Sequence, residues 1–450
     1  MNQSSTKHVA TSSQEPHTTT RSSDRKSLAA SMVGQLLEWF EWSTDAVFAP
    51  FIAAAMFNSA DPSSALLATF GVLAIGFFVR PLGGIVFGII ADRKGRKFVL
   101  MTTIFTMAAA AVIIGFMPTY EKIGVWASVG LLLLRLIQGF AHGGESATAN
   151  AYIPEIAPKQ HRGLWSSFVY MSIFGGSVLA YIVGGVISSV LTEDQVGSWG
   201  WRIPFWLGAI AALFAMFMRR GMNESEAFTE SEKHNTNTAK PVVAADHNSP
   251  GETGQKAAPI WVSILLVVGM VSGITAAHYT WSSYVSTYAI KHEGMAVEGA
   301  YWVTVVAQVI GLIALPLWGR LSDRIGRKPV IYFFAGALAI AQVPLMNFIN
   351  SQPWTLLVAS GASLIIVSAG GALLGAIMSE VFPTAHRTKS IGLAYSLSVA
   401  VFGGTAPYVF QLMNNLDLAW ISGSYVVILC ILTLVCMRLL PETRGIDLKH

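Results

Sequence analysis

The chain has 450 residues, of which 53% are hydrophobic and only 12% are charged. A soluble globular protein carries roughly 25% charged residues, so this composition excludes a soluble protein and indicates a polytopic membrane protein. The formal net charge of +4 is small and the basic residues form no single patch, so we expect no nucleic-acid partner. The two cysteines, Cys430 and Cys436, share one apolar run and provide no disulfide framework.

The N-terminal residues 1–27 are polar and contain no apolar core, so we predict a disordered cytoplasmic tail rather than a signal peptide. After it, twelve hydrophobic stretches are each long enough to cross a bilayer as a helix. Their approximate bounds are 29–57, 64–91, 98–118, 125–151, 163–190, 201–219, 259–289, 300–319, 329–349, 354–379, 389–414 and 419–440.

The distribution of the basic residues predicts the orientation and the domains. With both termini in the cytoplasm, 24 of the 29 Lys and Arg lie in tails and cytoplasmic loops, as expected for a membrane protein. The long polar segment at 221–258 predicts a cytoplasmic linker. It separates two six-helix halves at 28–220 and 259–440, and a short cytoplasmic tail follows at 441–450.

The two halves repeat the same motifs in the same order. The stretch "GIIADRKGRK" from Gly88 is matched by "GRLSDRIGRK" from Gly319. Likewise, "EIAPKQHR" from Glu155 is matched by "EVFPTAHR" from Glu380. Two six-helix repeats of this kind predict an all-α fold with a pseudo-twofold axis along the membrane normal, and a binding site between the halves.

At these loops the chain resembles the major facilitator superfamily, and "RLIQGFAHGGE" and "PETRG" resemble further motifs of that superfamily. Within it, the chain is most similar to the metabolite:proton symporters, which include 2-oxoglutarate, citrate, shikimate and proline/betaine permeases. The stretches that carry this similarity are "EWFEW", "FFVRPLGGIVFG", "RLIQGFAHGGE", "WGWRIPFWLGA" and "FGGTAPYV". The resemblance covers about residues 28–445 and implies a twelve-helix symporter of the plasma membrane, driven by protons. One departure is Glu41, where the family usually has Asp.

Three acids lie on one face of the first predicted span. Glu38, Glu41 and Asp45 are spaced i, i+3 and i+7, which places them on the same side of a helix. Charged residues within a membrane span face the bundle interior or a watery cavity. Because close carboxylates repel one another, we predict that these three acids take part in proton coupling. The alternative for Glu38 is a solvated or paired position near the cytoplasmic end.

The second and fourth spans carry the matching cations. Arg135, Gln138 and His142 form one polar stripe, and Arg80 precedes Pro81 in the second span. We predict that Arg80, Arg135 and Gln138 bind an anionic substrate, since a guanidinium suits a carboxylate. His142 is predicted to relay a proton. The alternatives are a fixed ion pair between Arg135 and a first-span acid, and an Arg80 that stabilises a helix break at Pro81.

The second half offers mostly uncharged polar groups. His278, Trp281 and Tyr284 lie near one face of the seventh span, and we predict that they wall the substrate site. Gln308 and Tyr395 are further candidate substrate contacts. The alternative for the aromatic side chains of the seventh span is an interfacial belt.

The repeated loop motifs are predicted to act as gates rather than as substrate contacts. An acid at a helix end pairs with a base or with the positive N-terminus of another helix, and the resemblance implies that this motif holds the cytoplasmic side closed. The predicted gating residues are Gly88, Asp92, Arg93, Gly95, Arg96, Glu155, Arg162, Gly319, Asp323, Arg324, Gly326, Arg327, Glu380 and Arg387.

These features together predict proton-coupled import of a small organic acid by alternating access. The intramembrane arginines favour a carboxylate substrate. A proline- or betaine-type zwitterion is the main alternative, because acids and aromatic rings also hold a quaternary ammonium. A facilitator or exporter of the same fold is another. The sequence contains no HExxH and no P-loop motif, so we expect neither an enzyme, nor a metal, nor a cofactor. We expect a functional monomer embedded in the lipid bilayer.

Overall fold

The computed structural model of the chain describes residues 20–58, 60–94, 96–220, 259–383 and 387–448. Within these ranges the regular structure is helical, without β-strands. The predicted linker at 221–258 lies outside the described residues.

The N-terminal half contains six long helical segments. They are α1 (Thr20–Val47, continued by Ala49–Met56), α2 (Pro62–Lys94), α3 (Arg96–Phe116), α4 (Val125–Ile156), α5 (Arg162–Val190) and α6 (Ile203–Arg220). Helix α1 begins at Thr20, inside the predicted disordered tail at 1–27, because backbone hydrogen bonding continues from the apolar stretch into the polar residues before it.

The C-terminal half repeats this arrangement, with two helices interrupted by π-helical turns. The segments are α7 (Ile260–Tyr279, the π-turn Thr280–Tyr284 and Val285–Lys291), α8 (Val297–Ile325), α9 (Arg327–Phe348), α10 (Pro353–Gly371, continued by Leu374–Val381), α11 (Arg387–Ser398, the π-turn Val399–Gly403 and Ala406–Asn415) and α12 (Ser424–Leu439). The twelve segments coincide with the twelve predicted spans, with boundaries that differ by several residues.

The composition of the helices agrees with a membrane location. Eight described helices are long and apolar enough to cross a bilayer, and three shorter apolar helices lie in α3, α6 and α12. Large apolar side chains face outward around the bundle; Ile340 is 80% exposed and Phe116 is 71% exposed. Exposed apolar surface of this kind is stable in lipid and unstable in water.

Close packing of α2 against α4 fixes the backbone around Arg80. Gly143 of α4 lies so near that a Cβ atom there would overlap the backbone carbonyl of Arg80. Gly139 meets the carbonyl of Gly76 in the same way, one turn further along both helices. Small residues allow membrane helices to approach this closely. The position of the Arg80 side chain therefore depends on glycines in the neighbouring helix.

Candidate functional site

The polar faces of α1 and α4 lie against each other in the interior of the N-terminal half. The two helices are antiparallel, so the acids of α1 meet the polar residues of α4 in three successive contacts. We refer to these contacts as the ladder, which comprises Asp45 with Arg135, Glu41 with Gln138, and Glu38 with His142. All six side chains are buried.

The outermost contact of the ladder is an ion pair. Arg135 Nη2 donates to Asp45 Oδ1, and both side chains are almost completely buried. Arg135 Nη1 also donates to Gln138 Oε1 at 2.6 Å. A guanidinium stays charged at any physiological pH, so Asp45 is held as its counterion. This is the fixed interhelical pair that the sequence left open as the alternative for Arg135.

The middle contact of the ladder joins a carboxylate to a neutral amide. Gln138 Nε2 donates to Glu41 Oε1 at 2.5 Å. Because Arg135 occupies the carbonyl oxygen of Gln138, the amide can only turn its NH2 group toward Glu41. A carboxylate and a protonated carboxyl group both accept a hydrogen bond from this NH2 group. The contact therefore persists whether or not Glu41 carries a proton.

The innermost contact brings together two groups that can share one proton. His142 Nδ1 contacts Glu38 Oε1 as an ion pair when the imidazole is protonated. Gln35 Nε2 donates to the other carboxylate oxygen of Glu38 at 3.0 Å. The three acids of α1 therefore have three kinds of partner: a permanent cation, a neutral amide and a titratable imidazole.

Arg80 lies beside the ladder, and its side chain is 4% exposed. Its guanidinium carbon is 4.2 Å from the centroid of the Trp42 ring and 4.1 Å from that of the Phe77 ring. Its Nε and Nη2 atoms have no hydrogen-bond partner among the described residues. Glu38, Tyr279 and Tyr395 are close enough to interact with it electrostatically. The predicted helix break at Pro81 is absent: α2 continues through it, as neighbouring helices allow for proline in membrane spans.

His278 of α7 lies on the other side of the interior, within a group of aromatic rings. The nearest ring centroids are those of Phe174 at 5.2 Å, Tyr170 at 5.4 Å, Tyr279 at 5.5 Å and Trp39 at 5.8 Å. These rings come from both halves of the protein. We refer to His278 and these four residues as the aromatic cluster. The Tyr279 hydroxyl group has no hydrogen-bond partner among the described residues.

The π-turn of α7 separates the residues that helical spacing had grouped with His278. Trp281 Nε1 donates to Gln342 of α9 at 2.7 Å, and the Tyr284 hydroxyl group bonds to Asn414 and Gln411 of α11. A π-turn adds a residue to one turn of the helix and rotates everything after it. Trp281 and Tyr284 therefore form hydrogen bonds within the C-terminal half, whereas Tyr279, which precedes the π-turn, packs against His278.

The two weaker candidates of the second half occupy different positions. Gln308 Nε2 donates to the Ser282 carbonyl at 3.1 Å, and its Oε1 atom has no described partner. Tyr395 is buried and lies in electrostatic range of Arg80. The sequence alone does not identify Trp42, Phe77, Tyr170 or Tyr279, whose apolar rings are indistinguishable by sequence from ordinary core residues.

At one end of the bundle, an acid of α8 caps a helix of the other half. Asp323 accepts hydrogen bonds from the backbone N–H groups of Gly163 (2.8 Å) and Leu164 (3.0 Å) at the start of α5. It also forms an ion pair with Arg327 at 2.9 Å. A carboxylate at a helix N-terminus is stabilised by the helix dipole. Asp323 therefore joins the two halves through its cap on α5, whereas its ion pair with Arg327 lies within the C-terminal half.

Glu380 of α10 is the second acid that joins the halves. It binds Arg162 at 3.0 Å and Arg327 at 3.0 Å, and it accepts from the Thr443 hydroxyl group at 2.7 Å. Arg387 donates to the backbone carbonyls of Phe382 and Leu448. Gly319 packs against the carbonyl of Gly163, whereas Arg324 is exposed.

The "PETRG" stretch completes this cluster. Glu442 accepts hydrogen bonds from the backbone N–H groups of Arg327 (2.9 Å) and Lys328 (3.0 Å) at the start of α9, and from those of Thr443 and Arg444. Burial opposes ionisation of Glu442, but the four N–H donors outweigh it and lower the pKa of this carboxyl group. Gly326 adopts φ +106° just before α9, which leaves room for the Glu442 carboxylate.

The other motif residues lie where side chains are not described. Gly95 is outside the described residues, and Gly88, Asp92, Arg93, Arg96 and Glu155 belong to helices whose side chains at these positions are not described. Their predicted gating role stays a prediction.

The opposite end of the bundle also carries contacts between the halves. The Tyr301 hydroxyl group donates to the Val47 carbonyl at 2.6 Å, and the Tyr181 hydroxyl group lies 2.7 Å from Ser286 Oγ. Ser189 Oγ donates to Glu298 at 2.8 Å. The ladder and the aromatic cluster therefore lie between two sets of contacts that join the halves, one toward each side of the membrane.

A family profile described as sugar (and other) transporter matches residues 26–450. The chain belongs to this family. An alpha-ketoglutarate permease of Escherichia coli K12 is 31% identical over 418 residues, which is 92% of this chain and 93% of that protein. A glycine betaine/proline/ectoine/pipecolic acid transporter, OusA of Dickeya dadantii, is 30% identical over 429 residues, 94% of this chain and 85% of that protein.

Solved structures show the same fold at low sequence identity. The proton:xylose symporter XylE bound to 6-bromo-6-deoxy-D-glucose matches with a TM-score of 0.73 and 18% identity, covering 95% of this chain and 98% of that one. The partially occluded inward-open conformation of XylE from E. coli matches with a TM-score of 0.74, covering 95% and 100%. These matches confirm the predicted all-α major facilitator fold.

Proposed function

We propose that this transporter is a proton-coupled symporter that imports a small organic acid across the plasma membrane by alternating access. The observation that supports this most directly is the middle contact of the ladder, where buried Glu41 faces the neutral amide of Gln138. A carboxylate with a neutral partner can gain and lose a proton without leaving a buried cation unpaired. Removing one charge of a buried ion pair, by contrast, is strongly destabilising.

The other two acids differ from Glu41 in what protonation would do. Protonating Asp45 would leave Arg135 as a buried cation without its counterion, so we assign Asp45 a structural role in the ladder. Glu38 and His142 hold a shared proton and connect the middle of the ladder to its cytoplasmic end. We propose Glu41 as the carrier of the coupled proton and the Glu38–His142 pair as the route to it.

An organic anion fits the cationic group that the ladder leaves free. Arg80 is buried, and two of its nitrogen atoms have no described hydrogen-bond partner. A buried guanidinium without hydrogen bonds is costly, and a carboxylate satisfies it with two parallel bonds. The similarity to a permease named for alpha-ketoglutarate is in keeping with an acid as substrate.

The contacts between the halves support the transport cycle. Asp323 and Glu380 hold the cytoplasmic ends together, while Tyr301 and Tyr181 hold the outer ends. Rocking of the halves at 28–220 and 259–440 would break one set at a time. The charge bias of the loops supports cytoplasmic termini in the plasma membrane. The ladder and Arg80 lie within one chain, so we propose that a monomer is the working unit.

A zwitterion symporter is the second candidate, because OusA is named for glycine betaine and proline among its substrates. The acids of the ladder and the aromatic cluster provide the cation-binding groups that such a substrate needs. However, the Trp42 and Phe77 rings already pack against Arg80. We therefore place the organic acid first.

The test is uptake by the purified full-length protein in liposomes under an imposed inward proton gradient. Radiolabelled 2-oxoglutarate, citrate, shikimate, benzoate, proline and betaine would be compared. Accumulation of an acid above its equilibrium level, abolished by a protonophore, is the expected result. Accumulation of proline or betaine alone would favour the second candidate. Equilibration without dependence on the gradient would show a facilitator and contradict the proposal.

A further inference from the structure

The number of substrate carboxylates that the interior can bind depends on how many of its hydrogen-bond donors lack a described partner. Nε and Nη2 of Arg80 lie on the same edge of the guanidinium group, and both lack a described partner. Together they form one fork, which binds both oxygens of a single carboxylate. The Tyr279 hydroxyl group is also without a described partner, and the Tyr279 ring contacts Phe77, over which Arg80 lies. The hydroxyl group provides a third donor for the same carboxylate.

No second fork of this kind is present among the interior side chains that the structure describes. Arg135 already binds Asp45 and Gln138. Arg162 and Arg327 bind Glu380 at the cytoplasmic ends of the helices. A second substrate carboxylate would therefore have to displace Asp45 from Arg135 or remain buried without a cation. Both arrangements leave a carboxylate unpaired in the interior, which is strongly unfavourable.

The remaining wall of the site is aromatic. The guanidinium carbon of Arg80 lies over both the Trp42 and Phe77 rings, whose centroids are 4.6 Å apart. Phe77 also contacts Tyr279 edge to face at 5.3 Å, which connects this pair of rings to the aromatic cluster around His278. Rings packed in this way favour a flat apolar group at centroid distances of about 4.5–7 Å. The faces of these rings form few favourable contacts with a flexible polar chain.

We infer that the substrate is an aromatic monocarboxylate, held by one carboxylate on Arg80 and Tyr279, with its ring against the aromatic cluster. This inference rests on the proposed function and narrows its substrate class. An aromatic monocarboxylate substrate distinguishes this protein from carriers of di- or tricarboxylates that have the same fold. The distinction rests on two features of the described residues. One is the number of guanidinium edges without hydrogen-bond partners, and the other is the set of aromatic rings around them.

Binding to the detergent-purified full-length protein, measured by calorimetry, tests the inference with matched probes. Each probe differs from benzoate in one property. Terephthalate has a second carboxylate, benzyl alcohol has no charge, and cyclohexanecarboxylate has no flat ring. Benzoate is expected to bind, with each of the other three weaker by about tenfold or more. 2-Oxoglutarate and betaine are expected to be weaker as well. Failure of benzoate to bind would overturn the inference, as would equal or tighter binding of terephthalate, 2-oxoglutarate or betaine.

Variants link the result to the named side chains. Arg80→Gln is expected to abolish benzoate binding. Because that variant removes a buried cation and could impair folding, Tyr279→Phe provides a second test, since it removes only the hydroxyl group. It is expected to weaken benzoate binding by about tenfold, the effect of one hydrogen bond to a charged group. Tyr332→Phe, on the exposed side of α9, is the matched control and should bind as the wild type does. Unchanged binding by both Arg80→Gln and Tyr279→Phe would refute the assignment.

The same protein in liposomes separates this inference from the proposed function. Benzoate that binds and crosses the membrane without a proton gradient would contradict proton coupling and leave the substrate class standing. A dicarboxylate that is accumulated by the proton gradient would support proton coupling and refute the substrate class.

Discussion

Gln138 lies between Arg135 and Glu41, accepting a hydrogen bond from the first at 2.6 Å and donating one to the second at 2.5 Å. The amide separates the permanent ion pair of Arg135 and Asp45 from the carboxyl group that we assign to the coupled proton. A cation in direct contact with Glu41 would hold that carboxylate ionised. The amide orients Glu41 without fixing its charge, which is the property that a proton carrier requires.

The first prediction concerns Glu41→Gln. The substituted amide can still pair with Gln138, so the fold should be kept, but the side chain cannot carry a proton. We expect gradient-driven accumulation to be lost and substrate exchange across the membrane to continue. Uptake and counterflow by the same liposomes would measure both. Lys122→Gln, which changes an exposed charge between α3 and α4, is the control. Accumulation against a pH gradient by Glu41→Gln would show that another group carries the proton.

The second prediction contrasts Asp45→Asn with Glu41→Gln. Asn at position 45 leaves Arg135 buried without a counterion, whereas Gln at position 41 leaves no charge unpaired. The cost of an unpaired buried charge is about 3–5 kcal/mol. We therefore expect a marked fall in the melting temperature of Asp45→Asn and a small change for Glu41→Gln, measured in the same detergent. Equal stability of the two variants would argue against the fixed pair.

Much of this arrangement follows from spacing alone. The i, i+3, i+7 pattern of Glu38, Glu41 and Asp45 recurs in Arg135, Gln138 and His142, and two regular helices place such faces opposite each other. Spacing does not determine which acid meets which partner, because that depends on the relative shift of the two helices. The structure pairs the guanidinium with Asp45 rather than Glu41, and this choice makes Glu41 the candidate carrier.

Other features could not be predicted because they depend on departures from regular geometry. The π-turn at Thr280–Tyr284 changes the rotation of α7 after His278, and Trp281 and Tyr284 bond to side chains of the C-terminal half. No residue pattern in that stretch identifies a π-turn. Trp42 and Phe77 become candidate site residues only because Arg80 of α2 packs against their rings. Sequence spacing therefore groups the charged side chains that the structure brings together, but it does not identify the apolar rings beside Arg80.

The third prediction concerns Gly143→Ala. The added Cβ atom would overlap the Arg80 carbonyl and force α2 and α4 apart, so Arg80 would move. We expect a large loss of both substrate binding and melting temperature. Gly336→Ala in α9 is the matched control, because its added Cβ atom would enter open space and alanine favours a helix by about 1 kcal/mol. A Gly143→Ala protein with normal binding would show that this close approach does not position Arg80.

The fourth prediction concerns Asp323→Asn. This change weakens the ion pair with Arg327 and the cap on the start of α5, both of which lie far from the ladder. We expect slower transport with nearly unchanged substrate affinity, because these contacts join the two halves and include no residue of the ladder or the aromatic cluster. Initial rates of uptake and equilibrium binding would separate the two effects. Asp194→Asn, at an exposed position between α5 and α6, should change neither. Loss of binding in Asp323→Asn would contradict a gating role.

The fifth prediction uses the lowered pKa of Glu442. Its ionised form accepts four backbone N–H groups, two of them at the start of α9, so folding favours the carboxylate. A lowered pKa means that this stabilisation is complete above the ordinary value of 4.5 and is lost as the pH falls through the folded-state pKa. Glu442→Gln should therefore lower the melting temperature at pH 7, and its difference from the wild type should shrink in acid. Glu121→Gln, in an exposed outer loop, should show no such difference. A difference that persists or grows at low pH would mean that the carboxylate charge is not what anchors the C-terminal motif to α9.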